Sequence, residues 1–190
     1  MKPKEASACL KLKKMKKLKI LYSKSQIQKM VKQLAKKIER DYSKIKLSKP
    51  LVVISVLKGA FVFTADLMRE INLPVQLEFV RISSYGTKKV SSGKIEAPLL
   101  LLPDLSDRDI LIVEDIVDSG GTIQFLREYV NAQFRPNSLK VACLLNKSAR
   151  REVNIKADYI GFEVDDHFLV GYGLDSGEKF RHLPYLAIDG

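Results

Sequence analysis

Residues 110–122 read ILIVEDIVDSGGT, and the order of apolar, acidic and small residues in this stretch decides the fold. Ile110, Leu111, Ile112 and Val113 run into two adjacent carboxylates, Glu114 and Asp115. A third acid, Asp118, follows, and then Ser119, Gly120, Gly121 and Thr122. A continuous apolar run of this kind is expected of a strand buried on both faces. The small residues after it predict a tight turn opening a helix over residues 122–134. In open α/β sheets the ligand lies beyond the carboxyl ends of the strands, so this turn stands where a site is expected. Backbone N–H groups can converge over residues 119–121, the helix N-terminus adds positive potential, and Ser119 and Thr122 add hydroxyl donors. Such a turn can hold a phosphate dianion without any lysine. The acids beside it cannot be phosphate ligands, because like charges repel; they suit ribose hydroxyls or a metal. Two plainer readings compete: an ordinary capped turn, and a phosphoacceptor receiver domain. A receiver carries its acid pair near the domain start, whereas more than 100 residues precede this one.

Outward from this stretch, strands and helices alternate. Residues 51–57 predict a buried parallel strand, 60–71 a helix, 75–82 a second strand and 109–116 a third. Residues 139–145, 159–164 and 168–174 predict three more strands. This alternation implies a mostly parallel sheet with helices on both faces. Upstream, Ser23 and Gln26 form a capping-box pattern, and Ile27, Met30, Val31, Leu34, Ile38 and Ile45 recur at helical spacing with lysines opposite. Residues 83–98, SSYGTKKVSSGKIEAP, form a long polar stretch of the kind that serves as a lid.

The net charge of +11 resembles a nucleic-acid signal until it is located. Residues 1–49 hold 17 Lys/Arg against 3 Asp/Glu, while residues 50–190 hold 16 against 19. The basic character therefore belongs to the N-terminal quarter. We expect residues 1–19 to be a flexible basic extension, with Met15 as an alternative start, and residues 20–190 to form the folded domain. Cys9 and Cys143 are the only cysteines and lack metal-ligand spacing, so both are expected as free thiols. No apolar run approaches the ~18 residues that a membrane span needs. The cytoplasm is the expected location.

VEDIVDSGGT, residues 113–122, resembles the phosphoribosyl-pyrophosphate motif of type I phosphoribosyltransferases. Further stretches are similar to the hypoxanthine-guanine branch of that family. Leu57-Lys58-Gly59 resembles its pyrophosphate loop, Ser84-Tyr85 the opening of its mobile lid, and Lys147 its purine-reading lysine. IGFEVDDHFLVGYGLDSGEKFRHLPY, residues 160–185, resembles its base-binding hood. The resemblance implies an α/β fold of the type I phosphoribosyltransferase kind: a mostly parallel twisted sheet flanked by helices, with a small hood subdomain formed by the N-terminal and C-terminal segments. It also implies an Mg²⁺-dependent purine salvage enzyme that makes IMP or GMP.

By the same resemblance, Glu114 and Asp115 contact the ribose hydroxyls directly or through Mg²⁺, and Asp118 to Thr122 cradle the 5′-phosphate. Asp118 is the implied proton acceptor beside the purine. Leu57, Lys58 and Gly59, with a cis Leu57–Lys58 peptide, and Arg181 would hold pyrophosphate. Phe168 would stack on the base, the Leu169 backbone would bond its edge, and Asp175 would ligate Mg²⁺ beside the purine. Lys147 offers only N–H donors, which match the O6 acceptor of a 6-oxopurine and oppose the amino group of adenine. Ser176 departs from the family, where an aromatic often follows the metal-binding Asp, and the lysine-rich extension has no counterpart. The implied partners are small-molecule substrates and further copies of the chain, as a homodimer or homotetramer, with no membrane or nucleic acid. An alternative is a phosphoribosyl-pyrophosphate-sensing regulator that binds nucleic acid through the basic N-terminus. A nearer one is an adenine- or pyrimidine-specific transferase, opposed mainly by Lys147 and the hood sequence.

Overall fold

The computed structural model describes residues 18–45, 47–82 and 102–190. Its central layer is a five-stranded parallel sheet in the order β3-β2-β4-β5-β6. The strands are β2 (Leu51–Leu57), β3 (Val75–Arg81), β4 (Asp109–Val117), β5 (Ser138–Asn146) and β6 (Tyr159–Glu163). Helices α1 (Lys24–Ser43) and α2 (Phe61–Glu70) cover one face, and α3 (Gly121–Phe134) covers the other.

Strand alternation divides the core cleanly. Leu51, Val53, Leu111 and Val113 pack with Ile27, Val31, Phe63 and Leu67 of α1 and α2. Their neighbours Val52, Ile54, Ile110 and Ile112 pack with Ile123, Leu126 and Val130 of α3. Both faces are covered, which is why these strands read as unbroken apolar runs instead of alternating ones. Each large side chain so buried contributes about 1.5–3 kcal/mol relative to exposure.

At the start of α1 the Ser23 N–H donates to Gln26 Oε1 at 2.9 Å and the Gln26 N–H donates to Ser23 Oγ at 3.4 Å, the expected capping box. The helix ends at Ser43, so Ile45 leaves the apolar stripe and is 52 % exposed. Tyr42 closes the buried face by donating its hydroxyl to the Ile110 carbonyl at 3.3 Å.

A second, antiparallel sheet of three short strands has the order β1-β8-β7, from Lys19–Tyr22, Leu186–Ile188 and Leu169–Val170. It joins the two ends of the described chain. The strand expected over residues 168–174 is cut to Leu169–Val170. Gly171, Tyr172 and Gly173 all take positive φ, 96°, 49° and 105°, and no strand continues through such a run. The short β1 and β8 were not expected from sequence.

The strand order places the site. The chain runs from β2 to β3 on one side and then crosses to β4 on the other, so the order reverses between β2 and β4. The loops leaving these two strands diverge and open a crevice at their carboxyl ends, where the Leu57-Lys58-Gly59 loop faces the turn after β4.

Candidate active site

Glu114 and Asp115 lie at the end of β4, and the turn to α3 carries Asp118 and the small residues. Gly120 caps α3 with φ +92°, where a side chain would be strained and a Cβ would also press on Val153 and Ile155. No side chain caps the helix. Its first N–H groups have no carbonyl one turn back to receive them, and the Gly121 N–H reaches only Ser119 Oγ at 3.5 Å. The Ser119 carbonyl accepts from the N–H groups of Glu152 and Val153 at 3.0 and 3.4 Å, which ties the turn to the segment after β5. The result is an open cradle of main-chain donors with Asp118, Ser119 and Thr122 at its rim.

The three acids of this stretch have different surroundings. Glu114 is 6 % exposed and its Oε1 accepts from the Asp115 N–H at 3.1 Å. Burial first, and then the negative charge of Asp115, push the Glu114 carboxyl well above its usual range. Asp115 accepts from the Ile116 N–H at 2.8 Å and points across the crevice. A Cβ built on Gly59 would stand 1.6 Å from Asp115 Oδ2, so only glycine lets the two loops close this far. Asp118 has a buried Oδ1 with no hydrogen-bond partner, while its Oδ2 lies 3.6 Å from Arg150 Nη1. A buried carboxylate oxygen without a partner is costly, and at a crevice it points to a missing ligand.

Glu114 makes a stability prediction. A carboxyl raised by folding binds protons more tightly in the folded state. Its contribution is therefore fully favourable below the ordinary glutamate value of 4.5 and is lost as pH rises through the raised one. Glu114→Gln removes that loss. In thermal melts of the ligand-free protein at pH 8, the variant is expected to have a Tm higher by about 2–4 °C. The gap between the two proteins should shrink towards pH 5.

Across the crevice a cleft of about 360 Å³ is lined by Leu57, Lys58 and Gly59, by Arg81 and Ile82, by Asp115, and by Asp175, Glu178 and Arg181. The Leu57–Lys58 peptide is cis, as the family resemblance implies. Lys58 Nζ donates to both oxygens of Glu178 at 3.1 and 3.0 Å, and this contact holds the Glu178 carboxyl below its usual range. Arg181 Nη2 pairs with Asp175 Oδ1 at 2.7 Å and lies 3.5 Å from Glu178 Oε2. Arg181 Nη1 donates to the Gly173 carbonyl at 2.8 Å, and its buried Nε has no partner. Three cations, Lys58, Arg81 and Arg181, therefore line one cleft, and Glu178 on an exposed turn bridges Lys58 and Arg181.

The side expected to take the base is built from the loops at the ends of β5 and β6 and the start of β7. The Lys147 N–H donates to the Val117 carbonyl at 3.0 Å, so this lysine is fixed beside the Asp118 turn. The residue is 6 % exposed, yet its Nζ has only Asp166 Oδ1, at 3.5 Å. Phe168 is 57 % exposed just before buried Leu169. Of the residues expected from sequence, Leu57, Lys58, Gly59, Asp115, Asp175 and Arg181 share the cleft. Asp118 and Lys147 meet through Arg150 and Asp166. Ser84 and Tyr85 lie outside the described residues. Sequence reasoning missed Arg81, Arg150, Asp166 and Glu178; the last three carry only the weak signal of a charge two or three positions from an expected site residue.

Cys143 is a free thiol buried in the sheet, and burial pushes it up to about 12, so it carries no thiolate near neutrality. Cys9 lies outside the described residues. Among the described residues no helix is long and apolar enough to cross a membrane, and no group of three or more His, Cys, Asp or Glu side chains is arranged to hold a metal. The pattern still fits Mg²⁺, which is usually held by one or two carboxylates together with substrate phosphates. Asp115 and Asp175 line one cleft, and Glu114 adjoins Asp115.

A parallel sheet with an acid-rich glycine turn at its reversal point and a cation-lined cleft opposite suits a ligand that carries both phosphates and hydroxyls. The family model described as the phosphoribosyl transferase domain matches residues 18–177. The hypoxanthine-guanine phosphoribosyltransferase of Aquifex aeolicus is 46% identical over 169 residues, covering 89% of this chain and 93% of that protein. The same-named protein of Bacillus subtilis is 44% identical over 170 residues, 90% of this chain and 92% of its own. The hypoxanthine phosphoribosyltransferase of Trypanosoma cruzi, solved as a ternary substrates complex, superposes with a TM-score of 0.82 at 39% identity, covering 90% of this chain and 94% of that one. The chain belongs to the hypoxanthine-guanine phosphoribosyltransferase family. The alternative of a nucleic-acid-binding regulator finds no support among these relatives.

Proposed function

We propose that the protein transfers the 5-phosphoribosyl group of phosphoribosyl pyrophosphate to N9 of hypoxanthine or guanine, giving IMP or GMP and pyrophosphate in purine salvage. The observation that carries this reading is Lys147, a buried donor-only side chain with one long contact, beside the phosphate turn. A buried ammonium so poorly paired favours an acceptor at position 6 of the purine and disfavours an amino group there.

In this reading the amides of residues 119–122 bind the 5′-phosphate, and Glu114 and Asp115 hold the ribose hydroxyls. Leu57, Lys58, Gly59 and Arg181 bind the pyrophosphate. Phe168 stacks on the base and the Leu169 backbone bonds its edge; the small antiparallel sheet supports them as a hood. As the C1′–pyrophosphate bond breaks, the sugar gains oxocarbenium character and N9 attacks the opposite face. Asp118 accepts the proton that the base gives up. The protein acts by positioning and electrostatics and forms no covalent bond to the sugar. Asp115 and Asp175, with Glu114 beside Asp115, would hold Mg²⁺ together with the substrate, and the bound ion would neutralise pyrophosphate charge.

The subunits are proposed to associate as a homodimer or homotetramer in the cytoplasm. Phe61 and Phe79, 43 % and 49 % exposed beside the cleft, support such a contact, and a solved T. cruzi relative was studied for the effect of its C-terminal region on oligomeric state. The reading is tested by turnover with phosphoribosyl pyrophosphate, Mg²⁺ and each of hypoxanthine, guanine, xanthine and adenine. Turnover of hypoxanthine or guanine with adenine inert is expected; preferred use of adenine would overturn the base assignment.

Glu178 makes a separate prediction. Its carboxylate occupies the two cations proposed to bind pyrophosphate, so the substrate must displace it. Glu178→Gln is expected to tighten competitive inhibition by pyrophosphate about two- to fivefold, a modest gain because the ion pair is exposed. Unchanged inhibition would remove Glu178 from that role.

A further inference from the structure

One guanidinium is shared by two carboxylates of the site. Arg150 ends the 3₁₀ turn Ser148–Arg150 after β5. Its Nη1 lies 3.6 Å from Asp118 Oδ2 and 3.6 Å from Asp166 Oδ1. Asp166 Oδ1 lies in turn 3.5 Å from Lys147 Nζ. These four side chains come from the loops after β4, β5 and β6. Their charges alternate in sign from Asp118 through Arg150 and Asp166 to Lys147.

We propose that Arg150 is a positioning residue for phosphoribosyl transfer, holding Asp118 Oδ2 so that the unpartnered Oδ1 faces the base, and coupling that carboxylate to Lys147 through Asp166. The proposal rests on Asp118 as the proton acceptor. Asp118 opens the turn just after β4, whose end carries Glu114 and Asp115, so acids crowd this stretch of the chain. Arg150 is the cation within ion-pair distance of Asp118 among the described residues. At 3.6 Å the contact is an ion pair and not a hydrogen bond. It is also half exposed, so it adds little to folding stability. Its effect is to restrict where the carboxylate points. A planar guanidinium can serve two carboxylates at once, which a lysine does less well because its charge is a point.

The chain also links base binding to Asp118. When a 6-oxopurine draws Lys147 towards O6, Asp166 loses one cation and keeps Arg150. Occupancy of the base pocket is thereby felt at the proton acceptor through one side chain.

Steady-state kinetics of Arg150→Leu, Arg150→Lys, Asp118→Asn and the double variant Asp118→Asn/Arg150→Leu test this. Arg150→Leu is expected to lower kcat about fivefold, with KM for phosphoribosyl pyrophosphate and Tm unchanged, as befits a half-exposed ion pair. Arg150→Lys should recover most of the loss. The double variant should be no slower than Asp118→Asn alone, because the arginine acts only through that carboxylate. Wild-type kcat in Arg150→Leu, losses that multiply in the double variant, or a lowered Tm that Arg150→Lys fails to restore would each overturn the proposal. If Asp118→Asn itself keeps wild-type turnover, the proton-acceptor reading fails and the proposal falls with it. If Asp118→Asn is slow and Arg150→Leu is not, only the role of Arg150 is lost.

Discussion

Asp118→Asn is expected to lower kcat about a hundredfold, the lower end of the range that a positioned proton acceptor supplies. Asparagine keeps the shape of the side chain and removes its basicity, so the turn should remain intact. The 5′-phosphate contacts proposed for this turn are main-chain amides, and no side-chain charge on residue 118 is needed for them. Phosphoribosyl pyrophosphate should therefore bind with little change, and the loss should fall on kcat more than on KM. The buried, unpartnered Oδ1 of Asp118 is the structural basis for this expectation. Turnover equal to the wild type would show that the carboxylate is present for another reason. Loss of binding together with turnover would show that it shapes the phosphate cradle.

The second large effect is expected at Lys147. Lys147→Met replaces a side chain of similar length without its charge, which limits the cavity left at a residue only 6 % exposed. A hydrogen bond from a charged donor contributes about 1.5–3 kcal/mol, so kcat/KM for hypoxanthine and guanine should fall roughly 10- to 150-fold. The β4–α3 turn and the cleft lined by Lys58 and Arg181 are untouched by this change. KM for phosphoribosyl pyrophosphate should hold while KM for the base rises. An unaltered purine profile would place Lys147 outside the base pocket.

How much of this was legible in the sequence follows from the kind of signal each part carries. The β4–α3 turn was legible because one short stretch holds a buried strand, three acids and a glycine turn, and each local preference agrees with the fold. The sheet was legible for the same reason: strands covered on both faces need continuous apolar runs, and residues 51–57 and 110–113 supply them. The second sheet was not. Its strands have four, three and two residues, too short for a period to show. Residues 168–174 looked like a strand because they are apolar, but Gly171, Tyr172 and Gly173 turn the chain from the fourth position on. Ile45 matched the helical stripe, but α1 had already ended at Ser43.

The charge chain from Asp118 to Lys147 was hidden for a different reason. Arg150 meets Asp118, and Asp166 meets Arg150 and Lys147, only because three loops converge at one end of the sheet, and pairing across loops has no periodicity in sequence. Glu178 was hidden in the same way, since its partner Lys58 lies 120 positions earlier. The family resemblance supplied the roles of individual residues, and the geometry supplied the contacts among them.

The central claim is that the turn after β4 holds a sugar phosphate by its main-chain amides while Lys147 reads the purine from the adjoining loop. A crystal structure of the protein with bound IMP tests it most directly. The account predicts phosphate oxygens about 2.7–3.2 Å from the N–H groups of residues 119–122, with the purine O6 at a similar distance from Lys147 Nζ. A phosphate held elsewhere by lysine side chains, with the turn left empty, would contradict it.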